Sequence, residues 1–285
     1  MRLVTLKKGG MEAAAVRIGD LVVPVSKINE TLNLDFPQSI FDLVVAGKIA
    51  ALSNVVAEHV DALAEEGYFV SEAEFGPLYR YPRKIWGIGL NYREHAGDLN
   101  AVLPTEEPAS FMKADTTIIG PNDAILLPPQ SSRVTAEAEI AVVIGKECKN
   151  VSVEEASSYV AGFTPVIDMT AEDILQKNPR YLTRAKNFDT FFSFGPELLT
   201  PDELPTLEDI SVGTYLNHAL HRENVVSNMT FLPLFLVAFH SQVMTLLPGD
   251  IISTGTPGAV VIRDGDIAEC RIDGFLPLTN PVGRA

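Results

Sequence analysis

Cysteine is almost absent. Cys148 and Cys270 are the two thiols in 285 residues, with no Cys-x-x-Cys spacing. This excludes a disulfide framework or a cysteine zinc site and suits a reducing compartment. Positive charge is also scarce: 22 Lys and Arg against 37 Asp and Glu leave a net charge of −15. That balance argues against nucleic acid or an anionic membrane surface as a partner. The most apolar run, Met229 to Phe239, is too short for a membrane span and carries Pro233. The opening Met-Arg-Leu-Val-Thr-Leu-Lys-Lys lacks the apolar stretch of a signal peptide. The expectation is a soluble, cytoplasmic protein. There is no P-loop, no Gly-x-Ser-x-Gly elbow, no His-Glu-x-x-His helix and no internal repeat.

What is present reads as a small unit followed by a large one, since the chain exceeds ordinary single-domain size. Leu3 to Val25 alternates short apolar runs with turns at Gly9-Gly10 and Gly19-Asp20, predicting an antiparallel meander. From Ser39 the apolar spacing becomes helical through Ile40, Leu43, Leu52, Val56 and Leu63, with His59 inside a helix in a structural role. An accessory domain over residues 1–75 and a main domain over residues 80–285 are therefore expected. The main domain shows many short strands with Gly, Pro and Asp turns. This pattern favours an α+β, mainly β fold with an antiparallel or mixed core over a βαβ repeat.

Chemistry concentrates in a few places. Glu137 and Glu139 lie two apart at the start of the apolar run Ile-Ala-Val-Val-Ile-Gly145, so a strand puts both on one face. Paired carboxylates repel, and a hard divalent cation relieves them. The same spacing also fits a solvated acidic strand end. A second strand, Phe163-Thr-Pro-Val-Ile-Asp168, ends in an aspartate. His95 and Asp98 share a face if that segment is helical, the pairing a general base requires. Lys186 stands in an aromatic stretch, where it snorkels or is drawn inward to neutralise an anion. Gly87 and Gly89 superficially suggest a dinucleotide fingerprint, but Tyr92 occupies the third glycine position.

Taken in order, Gly-Ile-Gly-Leu-Asn-Tyr-Arg-Glu-His95, Phe-Met-Lys113, Glu137-Ala-Glu139, Asp168, Lys186-Asn-Phe-Asp-Thr-Phe, Gly195-Pro196 and Pro-Gly-Asp-Ile-Ile-Ser-Thr-Gly-Thr-Pro-Gly258 resemble the fumarylacetoacetate hydrolase family from about Lys84 to Val282. The resemblance implies a mixed β-roll, sandwich-like catalytic domain behind a smaller N-terminal domain, in a homodimer. It implies Glu137, Glu139 and Asp168 as ligands of Mg²⁺, or of Mn²⁺ or Ca²⁺ in some members. It places His95 with Asp98 on a lid as water activator and Lys186 against the substrate. Lys113, Thr256 and Tyr92 would hold substrate. The implied reaction is hydrolysis of a C–C bond in an acylpyruvate-like 2-oxo acid or 1,3-diketone. Isomerisation and decarboxylation are open on the same site, as is a metal-binding protein without turnover.

Three departures concern the substrate end. Asp98 replaces the family's usual glutamate. The position of a substrate-binding arginine reads Glu172, with Gln176 displaced by one residue and Arg180 or Arg184 as substitutes. The Gly-rich loop after Gly258 is nearly missing.

Overall fold

Alternating residues with tight turns dictate hairpins, and the N-terminal segment obeys. The computed structural model describes residues 1–92, 104–204 and 206–285. In it Arg2–Lys8, Met11–Ile18 and Leu21–Pro24 form an antiparallel meander. A helix the spacing did not suggest, Val25–Leu32, follows directly, because Pro24 ends the strand and supplies its N-cap. Ser39 caps Ile40–Val45 through the amide of Asp42. The next helical stretch breaks at His59 into Ile49–Glu58 and Val60–Ala64. A continuous helix would give the Val55 carbonyl the amide of residue 59. Here His59 Nδ1 lies 3.1 Å from that oxygen, while its amide bonds to Val56. His59 is thus an exposed helix junction and not a mid-helix residue.

The main body is organised on a long hairpin, Val134–Ile144 paired with Val160–Ala171. The second strand runs three residues past Asp168, further than its apolar run suggested. Both faces of the hairpin are buried, which is why it reads as a near-continuous apolar run. Ala136, Ala138, Ile140, Val142, Ile167 and Met169 face one core, and Ala141, Val143 and Val166 face another.

Among the described residues the hairpin belongs to a 13-stranded mixed sheet. Ile251–Ser253 pairs antiparallel with Ala141–Val143 on the hairpin's outer edge and parallel with Ile85–Gly87. On the inner edge Glu197–Leu199 pairs at Phe163 and joins the N-terminal strand Arg2–Lys8 to the same sheet. A five-stranded sheet packs across the first core. Its order is Ala219–Val225, Ser211–Leu216, Ile267–Ile272, Leu278–Arg284 and Ile125–Leu127. The last strand, Leu278–Arg284, pairs antiparallel with Ile267–Ile272, and Pro281 within it obscures its alternation. The class is α+β, mainly β. No helix of the described residues is long and apolar enough to cross a membrane.

Candidate metal and active site

Antiparallel register brings the acids together. Residues directly opposite on paired strands share a face, and Asp168 lies opposite Glu137. Glu139, two residues along, projects from the same face beside them. Ligand oxygens of Glu137, Glu139 and Asp168 lie within 4.8 Å of one another. Glu139 and Asp168 are buried and Glu137 half-buried, so this is no solvated strand end.

Two lysines close the cluster. Asn187 accepts a hydrogen bond from the Ala114 amide at 2.6 Å and donates to the Met112 carbonyl. It thereby staples the end of the strand Ala109–Lys113 to the helix Leu182–Lys186. Lys186 Nζ then reaches Asp168 Oδ2 at 2.6 Å and Glu137 Oε2 at 3.1 Å. Lys113 Nζ lies 2.7 Å from Asp168 Oδ1 and donates to the carbonyl of Lys186. The Phe111 ring covers Lys186, with Nζ 4.8 Å from its centroid. That packing explains Gly87: a Cβ there would stand 2.3 Å from the Phe111 ring.

Electrostatics follow from burial. Burial, then the charges of Asp168 and Glu137, push the Glu139 carboxyl up from 4.5 to about 8. Burial also opposes the charge on Asp168, but Lys113 and Lys186 together outweigh it and hold its carboxyl below the ordinary value. Burial lowers Lys113, with Lys186 adding repulsion. Against its own burial, Lys186 is raised by Asp168 and Glu137. Three carboxyl groups beside two lysines form an all-oxygen donor set in which Glu139 is the one member that resists ionisation. These residues fit a hard divalent cation.

The loop after Ile251–Ser253 completes the floor. Ser253 Oγ and the Gly255 amide both donate to Glu139 Oε2, at 2.5 and 2.8 Å. Gly255 sits at φ +95°, and a Cβ there would lie 2.9 Å from that of Asn91. Asn91 donates to the carbonyls of Phe231 and Thr254 and accepts from the Phe231 amide, locking the end of Ile85–Gly89 to this loop. Asn91, Asn187, Ser253 and Gly255 stand in the motifs quoted from the sequence, but their roles there were not legible. Thr170 lies outside those motifs, and its signal is the period-2 spacing from Asp168 that places it on the site's face.

The structure brings Glu137, Glu139, Asp168, Lys113 and Lys186 together. Thr256, beside Gly255, is buried and exchanges hydrogen bonds with Gly258. Tyr92 is fully buried in the first core and bridges to Met229. His95 and Asp98 lie outside the described residues. Glu172 is paired with Arg133 at 2.5 Å and accepts from Gln176, whereas Arg180 and Arg184 are exposed.

The chain is similar to known proteins in sequence and in fold. Oxaloacetate tautomerase Fahd2a, mitochondrial, of Rattus norvegicus is 36% identical over 209 residues, covering 70% of this chain and 66% of that protein. The 5-carboxymethyl-2-hydroxymuconate delta-isomerase of Mycobacterium smegmatis superposes with a TM-score of 0.77 at 30% identity, covering 100% of this chain and 99% of the other. Maleylpyruvate hydrolase from Sphingobium sp. SYK-6, solved with manganese(II) and pyruvate, gives 0.82 at 26% identity over 100% of both chains. The model of the fumarylacetoacetate (FAA) hydrolase C-terminal region matches residues 84–283, a span that holds every member of the carboxylate–lysine cluster, and the chain therefore belongs to the fumarylacetoacetate hydrolase family.

Proposed function

We propose that the chain is a divalent-metal-dependent hydrolase that cleaves a C–C bond of acylpyruvate-like or 1,3-diketone 2-oxo acids. Mg²⁺ is the proposed resident ion, with Mn²⁺ or Ca²⁺ as substitutes, and Glu137, Glu139 and Asp168 are its ligands. The observation that carries this reading is the convergence of three carboxylates and two lysines on one face of the buried hairpin. A bound divalent ion supplies Lewis-acid polarisation of the adjacent oxygens of a 2-oxo acid.

The chain's own groups supply the rest. Lys186, already charged and shielded by Phe111, stabilises negative charge as it develops on the enolate oxygen. Lys113 offsets charge at Asp168 and, with Thr256, orients the substrate, whereas Tyr92, fully buried in the first core, supports the fold. His95, held by Asp98, takes a proton from water as the hydroxide adds to the distal carbonyl. The C–C bond then breaks, its electron pair passes to the enolate, and protonation yields pyruvate and a carboxylic acid. The enzyme acts as a homodimer in the cytoplasm.

A second reading is keto–enol tautomerisation or double-bond isomerisation of a 2-oxo acid, with decarboxylation as a variant on the same site. It draws on the relatives named as a tautomerase and an isomerase, and needs no water activation. Loss of enol absorbance from an acylpyruvate, with products identified by NMR, tests the first reading. Oxaloacetate keto–enol exchange in the same buffer tests the second. Turnover of neither, with Mn²⁺ or Mg²⁺ present, refutes both. His95→Ala is expected to abolish hydrolysis and spare Mn²⁺ binding.

A further inference from the structure

Each glutamate of the cluster has one carboxylate oxygen committed to a buried hydroxyl. Thr170 Oγ1 donates to Glu137 Oε1 at 2.5 Å, and Thr135 Oγ1 reaches the same atom more weakly at 3.5 Å. Ser253 Oγ donates to Glu139 Oε2, the atom that also accepts from the Gly255 amide. Thr135 and Thr170 face each other across the hairpin, two residues from the Glu137–Asp168 pair and on the same face. Ser253 comes from the strand Ile251–Ser253, which pairs at Ala141. Thr170, Thr135 and Ser253 are all buried, so water does not compete for these bonds.

The opposite oxygens are differently placed. Among the described residues Glu137 Oε2 is bonded only by Lys186, which keeps its shorter bond to Asp168 if that contact is released. No hydrogen bond to Glu139 Oε1 forms among the described residues. Hydrogen bonds to a carboxylate are charge-assisted and roughly twice as strong as neutral ones. Turning both oxygens of either glutamate toward one ion would forfeit such a bond in a dry site.

We propose that Thr170 and Ser253 are positioning residues that hold Glu137 and Glu139 to ligation through one oxygen each, and so tune the site for Mg²⁺ or Mn²⁺ over Ca²⁺. Ca²⁺ takes about 6–8 oxygens and favours bidentate carboxylates, whereas Mg²⁺ takes about six at close to octahedral geometry. Carboxylates confined to one oxygen supply fewer donors, which satisfies the small ion and underfills the large one. This rests on the carboxylate cluster being the metal site.

The test is calorimetric titration of Mn²⁺, Mg²⁺ and Ca²⁺ into the metal-free full chain, comparing wild type with Thr170→Val, Thr170→Ser and Ser253→Ala. Wild type is expected to bind Mn²⁺ and Mg²⁺ more tightly than Ca²⁺. Thr170→Val and Ser253→Ala should each lose roughly 10–100-fold in Mn²⁺ affinity, the usual cost of removing a partner of a metal ligand. Ca²⁺ affinity should fall less, so the Mn²⁺/Ca²⁺ ratio narrows, and Thr170→Ser should keep the wild-type ratio. If both hydroxyl deletions leave the ratio unchanged, whether all three affinities stay or fall together, the proposal is overturned. Should Thr170→Val fail to fold, Ser253→Ala carries the same ratio test. A wild-type chain that binds none of the three ions overturns the metal-site reading itself, and the proposal with it.

Discussion

Glu139→Gln should make the metal-free protein more stable while destroying its metal site. The Glu139 carboxyl is buried against Asp168 and Glu137 and pushed up from 4.5 to about 8. A raised carboxyl means the folded chain holds a proton that the unfolded chain has lost. Stability of the metal-free form is therefore fully present below about pH 4.5 and declines as pH rises toward 8. Above that, ionised Glu139 costs of order 5 kcal/mol, the separation between 4.5 and about 8 converted at about 1.36 kcal/mol per pH unit. Glutamine has the same shape. Its Oε1 can accept from Ser253 and Gly255 while its NH₂ faces the neighbouring carboxylates, so the ionisation cost disappears. An unfolding entropy of about 2.1 cal/mol/K per residue over 285 residues converts this into a rise in Tm of roughly 8 °C. The assay is thermal denaturation with chelator at pH 5 and pH 9, then with Mn²⁺. The gain should appear at pH 9 and vanish at pH 5, where Glu139 in the wild type is itself neutral. Mn²⁺ should stabilise wild type most at high pH and leave the variant unmoved. Equal melting of the two proteins at pH 9 would refute the strained carboxylate. A Mn²⁺-induced shift retained in the variant would refute Glu139 as a ligand.

Other outcomes follow from the same geometry. Chelator should abolish turnover, and Mn²⁺ or Mg²⁺ should restore it, read as initial rates before and after dialysis. Lys186→Met should cut kcat by roughly 10²–10³-fold, the range for losing one electrostatic stabiliser, while Mn²⁺ still binds by calorimetry. Gly87→Ala drives a methyl into the Phe111 ring, and chemical denaturation should show a loss of about 1–3 kcal/mol. A wild-type midpoint there would show that Phe111 moves freely and does not pin Lys186.

Much of this could be read along the chain. Glu137 and Glu139 share a face because strand side chains alternate, and no tertiary information is needed for that. The apolar run behind them announces a strand buried on both sides, and the order of motifs from Gly87 to Gly258 carries the family. Local spacing failed where two signals compete. His59 continues a helical pattern that the backbone breaks, and Pro281 hides a strand that is fully paired. Departures at the substrate end were visible as letters, but not that Glu172 is already paired with Arg133, the residue just before the facing strand.

The sequence by itself determined which residue types stand together on one element: two carboxylates on a strand, an aspartate on another and lysines beside aromatics. Only the tertiary structure decided that they form one site. Asp168 reaches Glu137 through hairpin register, and Lys113 and Lys186 meet it from a third strand and a helix stapled by Asn187. The hydroxyls of Thr170 and Ser253 each hold one carboxylate oxygen of Glu137 and Glu139. The physical reason is that alternation is a local property of the backbone, whereas ligation, charge compensation and hydrogen bonding act between atoms a few ångströms apart in space. Those atoms belong to elements distant in the chain, and register and packing alone bring them into contact.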